Sequence, residues 1–353
     1  MCVSSSGLVE NIMNNLTRKL GHIEHALSQS TDINSFDQIR LKHCALPDLD
    51  LDRIHLSATL CDHSVAAPFF VSSMTGGPTE SEAINRRLAE ACQAMGIAMG
   101  VGSQRVGIED GHTGGLNGSI RDAIGSSPLF ANFGAVNLLG LSDVKDLGRI
   151  LDPIEADALI LHLNPMQEVF QVSGDTNWTG VIERIAATCD WCPVPVIAKE
   201  VGFGLDVGSA KVLIDAGVDV LDVAGRGGTR FADIEIAMNA EIQQRLSDQQ
   251  LFDGWGYTTV ECLQMMQSSF PTQCCWASGG VRHGLDVAKA LCLGASAVGI
   301  AGRFLKPATE STESVIATMQ QFMDELRIAC FGMGVASVQH LDQQLLWDGS
   351  HAS

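Results

Sequence analysis

One lysine stands at a position where an unpartnered positive charge would be costly. Lys199 ends the apolar run Pro195–Ala198, which has the composition of a buried strand. An ammonium group that is buried alone is strongly destabilising. A lysine there can instead form a Schiff base or stabilise an anion that develops during a reaction. An ion pair with the adjacent Glu200 is the alternative interpretation, and we expect Lys199 to be functional.

A second group of reactive side chains lies earlier in the chain. His162, Asn164, Gln167 and Glu168 bring an imidazole, two amides and a carboxylate within seven residues. Glu168 could bind Mg²⁺ through oxygen, with the metal bridging to the phosphates of a substrate. His162 stands between two leucines, so a hydrogen-bonded core histidine is as good an interpretation as a catalytic one.

Glycine-rich turns provide a third kind of chemistry. The segment 225–229, the pair Gly279 and Gly280, and Gly302 each follow a predicted strand. Because glycine has no Cβ, its backbone N–H can approach an anion closely. Arg105 could add a bidentate cation for phosphate. Tight turns without a ligand, and an ordinary surface arginine, are the alternatives.

These residues need a scaffold that brings strand ends together. Apolar runs alternate with helical patterns from Pro68 onward, and each run ends in polar residues. Eight parallel strands with helical connections predict an α/β protein with a (β/α)8 TIM barrel, whose strand ends meet at one mouth. Two doubly wound domains are the less favoured arrangement. The predicted strands cover residues 69–72, 97–101, 129–132, 158–163, 194–198, 220–223, 274–278 and 296–300.

The rest of the chain extends this barrel. We expect residues 1–66 to form an N-terminal arm and a cap over one barrel end, and residues 67–331 to form the barrel. An insertion near 230–256 would lie over the mouth, and residues 332–353 would form a C-terminal tail. The cluster Arg18-Lys19 in the arm is either a solvated helix face or a source of cations for an anion.

Composition restricts the partners and the compartment. The formal charge of −19 disfavours binding to nucleic acid or to an anionic membrane surface. Eleven cysteines, an odd number set mostly in apolar runs, indicate reduced thiols and a cytoplasmic location. The pair Cys189 and Cys192 has no second pair at zinc spacing, so metal or redox chemistry there is disfavoured. No signal peptide and no membrane span are expected.

Together these motifs resemble a known family, the type 2 (FMN-dependent) isopentenyl-diphosphate Δ-isomerases. Any one segment is weak evidence, but eight in the same order over most of the chain are specific. The matching segments are Arg18-Lys19 with His22, 72–77, 102–105, 132–134, 162–164 with 167–168, 199–204, 227–229 and 278–282.

The resemblance implies roles for individual residues. FMN would lie across the barrel mouth, and the side chains of His162, Gln167 and Lys199 would take part in catalysis. The flavin ring would contact Ser73, Met74, Thr75, Ser103, Asn132 and Lys199. The ribityl chain and phosphate would contact Thr229, Gly280, Val281, Arg282, Ala301 and Gly302. The substrate would contact Arg18, Lys19, Ser103, Gln104, Arg105, Asn164 and Gln167, and Glu168 would bind Mg²⁺.

The implied reaction converts isopentenyl diphosphate to dimethylallyl diphosphate without net redox change. The resemblance implies that reduced FMN performs the proton transfer, that NADPH or NADH only reduces the flavin, and that the protein is a homo-oligomer, a tetramer or octamer. An FMN-dependent 2-hydroxy-acid oxidase or dehydrogenase is the alternative enzyme, although its Ser-Asn-His-type element is absent before Gly279. A non-catalytic flavin- or phosphate-binding barrel is a third possibility, disfavoured by the polar strand ends.

Overall fold

A closed barrel of eight parallel strands forms the centre of the molecule. The structure, a computed structural model, describes residues 34–74, 79–109 and 116–349. An antiparallel hairpin of β1 (Ala58–Leu60) and β2 (His63–Val65) precedes the barrel. The barrel strands are β3 (Phe69–Val71), β4 (Ala98–Gly100), β5 (Leu129–Gly134), β6 (Ala158–Leu163), β7 (Val196–Glu200), β8 (Val220–Asp222), β9 (Cys274–Ser278) and β10 (Ala297–Ile300). They pair in chain order and β10 closes on β3, which confirms the predicted (β/α)8 barrel.

Helices surround the barrel. They are α1 (Thr79–Met95), α2 (Arg105–Glu109), α3 (Gly118–Ile124), α4 (Gly148–Leu151), α5 (Pro165–Phe170), α6 (Val181–Trp191), α7 (Val207–Asp215), α8 (Phe231–Met238), α9 (Ala240–Arg245), α10 (Thr259–Ser269), α11 (Gly284–Cys292), α12 (Gly302–Glu310) and α13 (Thr312–Met333). Short 3₁₀ helices cover Ser35–Gln38, Leu51–Arg53, Val136–Gly140, Val144–Leu147, Asp152–Ile154, Val338–His340 and Gln343–Leu345. Within the described ranges, no helix has the length and apolarity needed to cross a bilayer.

One strand begins later than the sequence predicts. The run 194–198 predicted a strand ending at Ala198, whereas β7 runs from Val196 to Glu200. Pro195 has no N–H to donate to a neighbouring strand, so the ladder begins after it. The amide of Val196 is held instead by the carboxylate of Asp219 at 2.8 Å. Lys199 therefore lies inside the strand rather than just beyond it.

The barrel interior is a packed apolar core. Alternate residues of each strand point inward, because successive side chains of a strand face opposite sides. Trp276 packs against Phe70 and Phe130, with ring centroids 4.8 and 5.6 Å apart. Leu60 and Val65 of the hairpin join the same cluster and cover one end of it. The cavity described below lies at the other end, where the strands finish.

Residues 230–256 form a small additional layer at that open end. They contain α8 and α9, where Ala232, Ile236 and Ile242 pack against Phe170 and Phe203. Phe170 belongs to α5, which follows β6, and Phe203 follows β7. These apolar contacts hold the two helices beside the carboxyl ends of the strands.

Candidate active site

The inward-facing positions of the barrel change from apolar to polar at the carboxyl ends of the strands. Successive residues of a strand face opposite sides, so every second residue faces the barrel interior. In each strand, the residue two positions after the last apolar interior side chain is small or polar. These positions form a ring of Ser72, Gly100, Asn132, His162, Lys199, Asp222, Ser278 and Gly299. Above the ring opens a cavity of about 680 Å³. The ring is therefore the floor of the candidate site.

Lys199 is paired with a carboxylate across the sheet. Its Nζ lies 2.7 Å from Oδ2 of Asp222, and the two side chains are 8% and 1% exposed. Ser278 donates its hydroxyl to the same oxygen at 2.7 Å. The other carboxylate oxygen, Oδ1, has no hydrogen-bond partner among the described residues. The floor thus holds a buried ion pair tied to a hydroxyl.

Glu200 does not form the ion pair with Lys199 that sequence adjacency suggests. Its Oε2 accepts hydrogen bonds from the amides of residues 201–204, at 2.6 to 3.0 Å. Burial raises the pKa of Glu200 to about 7, and the four amide hydrogen bonds oppose that rise. Adjacent residues of a strand face opposite sides, so Glu200 shapes the following loop while Lys199 faces the cavity.

His162 is held as a neutral imidazole. Its Nδ1 lies 2.7 Å from Oδ1 of Asn132, and because a carbonyl oxygen can only accept, Nδ1 carries the proton. Burial and the nearby Lys199 ammonium lower the pKa of His162 to about 4. The imidazole therefore offers Nε2 as an acceptor at neutral pH.

A network of amides and carboxylates forms one wall of the cavity. Glu168 accepts from Nδ2 of Asn164 at 2.8 Å and from the amide of Asp175 at 2.7 Å. Asp175 in turn pairs with Arg105 at 2.8 Å. Gln167 donates from Nε2 to Glu235 of α8 at 3.1 Å. This wall presents oxygen ligands and a guanidinium at one place.

Two glycine turns form the opposite wall. A Cβ on Gly228 would lie 2.7 Å from the amide nitrogen of Gly280, and one on Gly279 would lie 2.1 Å from the carbonyl oxygen of Gly225. Gly279 and Gly280 also have positive φ angles of 97° and 76°, which residues with side chains rarely adopt. The two turns therefore require glycine, and side chains cannot cover their backbone here.

A helix begins beside these turns. Ala301 and Gly302 line the cavity, and Ala301, the N-cap of α12, makes no capping hydrogen bond through its side chain. The first amides of a helix attract anions when nothing else satisfies them. Thr229 and Arg303 line the same region. Amides, a hydroxyl and a guanidinium together suit a phosphate group.

Arg282 joins the glycine turn to the start of the described chain. Its guanidinium binds Asp286 through Nε at 2.9 Å and Asp37 through two nitrogens at 3.1 and 2.5 Å. Asn34 donates to the carbonyl oxygen of Gly280, and Lys289 donates to that of Phe36 at 2.8 Å. We call residues 34–37 the clasp. Hydrogen bonds to both carboxylates raise the pKa of Arg282.

Comparison with known proteins identifies the family. A protein of Vibrio campbellii named isopentenyl-diphosphate delta-isomerase is 46% identical over 322 residues, covering 91% of this chain and 94% of that protein. A protein of the same name from Xanthobacter autotrophicus is 45% identical, covering 92% of this chain and 95% of that protein. This chain belongs to the isopentenyl-diphosphate delta-isomerase family. A family model described as FMN-dependent dehydrogenase matches residues 158–348, which confirms the resemblance to the FMN-dependent class of these isomerases.

Solved structures resemble the barrel at much lower identity. A flavocytochrome b2 mutant with pyruvate bound has a TM-score of 0.66 at 17% identity, covering 94% of this chain and 82% of that chain. A putative lactate oxidase of Pediococcus acidilactici has a TM-score of 0.64 at 18% identity, covering 94% of this chain and 90% of that chain. At such identities the likeness shows that the isomerase shares their fold.

Most of the predicted site residues come together in this one cavity. It is lined by Ser73, Met74, Ser103, Arg105, Asn132, His162, Asn164, Gln167, Glu168, Lys199, Thr229, Gly280, Val281, Arg282, Ala301 and Gly302. Thr75, Arg18 and Lys19 lie outside the described residues. Arg282 is at the cavity, but Asp37 and Asp286 occupy its guanidinium, and Asp286 also accepts from its amide at 3.1 Å. Its contacts therefore organise the turn.

Gln104 is placed differently from the prediction. Its side chain is 5% exposed, accepts from the amide of Asn132 at 3.1 Å and donates to the carbonyl oxygen of Ile150 at 3.1 Å. Both ends of the amide are thus hydrogen-bonded within the protein, and Gln104 is not among the residues that line the cavity. Gln104 supports the strand that carries Asn132 instead of lining the site.

The sequence interpretation missed several residues that lie at the site or contact it. Asp222, Glu235 and Asp37 contact predicted site residues, and Ser278 and Arg303 line the cavity. Asp222 and Ser278 had a usable signal, because each lies two residues after an interior apolar residue of its strand. The contacts of Asp37 and Glu235 bridge distant parts of the chain and leave no local pattern.

The donor set fits FMN better than it fits a preformed metal centre. Ser73 Oγ and Asn164 Oδ1 are buried, belong to cavity-lining residues and have no hydrogen-bond partner among the described residues. A bound ligand, a water molecule or an ion could satisfy such atoms. Within the described ranges no group of three or more His, Cys, Asp or Glu side chains could hold a metal ion. Glu168 alone would need ligands from a substrate to bind Mg²⁺.

Proposed function

We propose that this chain converts isopentenyl diphosphate to dimethylallyl diphosphate in isoprenoid biosynthesis, with FMN as cofactor. The observation that carries the proposal is a single cavity with two dissimilar walls above one polar floor. The glycine turns and the start of α12 suit a phosphate, and the wall of Arg105, Asn164 and Glu168 suits a second anion with a cation. Two anionic groups would therefore have separate places in one cavity.

The residues then divide between cofactor and substrate. The glycine wall would hold the FMN phosphate, with Thr229, Val281 and Gly302 beside it, and the ring would lie over the floor near Lys199 and Asn132. Bound FMN, once reduced, would supply the acid–base chemistry on the allylic carbons. Lys199 would place a fixed positive charge next to the ring. Such a charge is effective because it needs no reorganisation during the reaction.

The opposite wall would bind the diphosphate of the substrate. Arg105 can give up its ion pair with Asp175 and bind two phosphate oxygens through two nitrogens of its guanidinium group. Glu168 would hold Mg²⁺ together with those oxygens, and Gln167 would orient the substrate. His162, neutral and oriented by Asn132, would accept or relay a proton through Nε2. Arg18 and Lys19, outside the described residues, would add cations.

The remaining expectations also belong to this proposal. NADPH would reduce the flavin, and the protein would assemble as a homo-oligomer, a tetramer or octamer. A cytoplasmic location is supported by ten free cysteines among the described residues. The 2-hydroxy-acid oxidase alternative has less support, because the structures related to such enzymes share 17% or 18% identity with this chain, whereas isomerase-family proteins reach 46%.

An anaerobic assay with the full-length protein tests the proposal. FMN, Mg²⁺ and NADPH are supplied, and proton NMR follows isopentenyl diphosphate. We expect dimethylallyl diphosphate to appear, with no oxidation of L-lactate in a parallel aerobic reaction. Lys199→Ala should lose most turnover, whereas Lys211→Ala, on the surface, should retain it. Flavin reduction by lactate without isomerisation would refute the proposal.

A further inference from the structure

We propose that Asp222 is a positioning residue that keeps Lys199 as an ammonium ion at a fixed point of the cavity floor. Asp222 is fully buried, and Lys199 lies opposite it on the neighbouring strand. The two atoms that meet, Nζ and Oδ2, are 2.7 Å apart. The consequence for catalysis rests on the function proposed above, but the ion pair itself does not.

Among the described residues, Asp222 is the one carboxylate that pairs with Lys199. From β6, His162 lies opposite Lys199 and is neutral at pH 7. Glu200, the next residue of β7, binds the amides of the following loop. Among the described residues, the ion pair with Asp222 is the only one that Lys199 forms. This lysine therefore has one anionic partner among the described residues.

Ser278 fixes the carboxylate in its place. Its hydroxyl donates to the same Oδ2 that accepts from Lys199, so one oxygen receives two hydrogen bonds. This sharing sets the orientation of the carboxyl group and, through it, the position of Nζ. A neutral amide at 222 could keep a hydrogen bond but could not offset a positive charge. A buried ammonium without a counter-ion gives up its proton instead of remaining charged.

Amine labelling of the full-length protein tests the protonation state directly. Acetic anhydride acylates neutral amines, and peptide mass spectrometry reports each lysine separately. At pH 7 we expect Asp222→Asn to raise labelling of Lys199 about ten-fold or more relative to Lys211, an exposed internal reference. Ser278→Ala keeps the carboxylate and should change Lys199 labelling by less than about three-fold. Equal labelling in wild type and Asp222→Asn would overturn the proposal.

A second variant covers the case in which Asp222→Asn fails to fold. If the damage comes from a lone buried ammonium, then Lys199→Met combined with Asp222→Asn should fold and have a higher urea midpoint than Asp222→Asn alone. A double variant that is no more stable would show that Asp222 does not act as the counter-ion.

Labelling in the presence of FMN separates this proposal from the flavin site. FMN near the floor should protect Lys199 in the wild type while Lys211 stays reactive. Absence of protection, together with the expected effect of Asp222→Asn, would contradict the flavin position and leave the role of Asp222 supported.

Discussion

Protonation of His162 should make this protein less stable in acid by a predictable amount. Folding lowers the pKa of this imidazole from its ordinary 6.5 to about 4, through burial and the nearby Lys199 charge. The unfolded chain therefore binds more protons between these values, and stability falls as pH falls through that window. A difference of about 2.5 units corresponds to about 3 kcal/mol below pH 4, and to about 2 kcal/mol at pH 5.

Urea unfolding of wild type and His162→Gln at several pH values measures this contribution. Glutamine keeps an amide that can donate to Asn132, but it does not titrate. The difference in unfolding free energy between the two proteins isolates His162, because the other groups titrate in both. We expect the wild type to lose about 2 kcal/mol relative to the variant between pH 8 and pH 5. His340→Gln, at an exposed site, controls for removal of an imidazole. A difference that stays constant with pH would refute the reasoning.

Three further changes test other parts of the structure. Gly280→Ala puts a Cβ 2.9 Å from the carbonyl of Gly227, so the affinity for FMN should fall about ten-fold or more. Quenching of FMN fluorescence measures this affinity. The control is Gly254→Ala, whose Cβ meets nothing within 4 Å and which should keep the wild-type affinity. Trp276→Ala leaves a cavity in the barrel interior and should lower the unfolding free energy by about 3–5 kcal/mol, as measured by urea titration. A loss under about 1 kcal/mol would contradict the packing described. Glu168→Gln keeps an acceptor but removes the charge, so half-maximal isomerisation should require about ten-fold more Mg²⁺; an unchanged requirement would exclude Glu168 as the ligand.

The barrel could be predicted because its local signals agree with one another. Apolar runs such as 69–72 and 158–163 lie within a residue or so of β3 and β6. β7 is shifted toward Lys199 because a proline precedes it. The two-residue period of a strand would also have excluded an ion pair between Lys199 and Glu200, which face opposite sides.

Partners that lie far apart in the chain could not be predicted. Asp222 is 23 residues from Lys199 and Asp37 is 245 residues from Arg282, and no periodic pattern connects either pair. Gln104 stands between two cavity residues in sequence, yet its side chain bonds to the backbone of Asn132 and Ile150 and does not line the cavity. Local patterns indicated which residues end strands, whereas the closed barrel decided which of them meet.

The clasp has a consequence for the order of events during folding. Its contacts with the glycine turn and with Lys289 span 245 to 253 residues, so they cannot form before β9 and α11 have been synthesised and placed. Contacts of such long range are slow to form, because a large loop must close first. The phosphate-suited wall is thus completed among the last parts of the protein. A chain released before residue 289 would carry most of the strands and still lack a finished place for an anion.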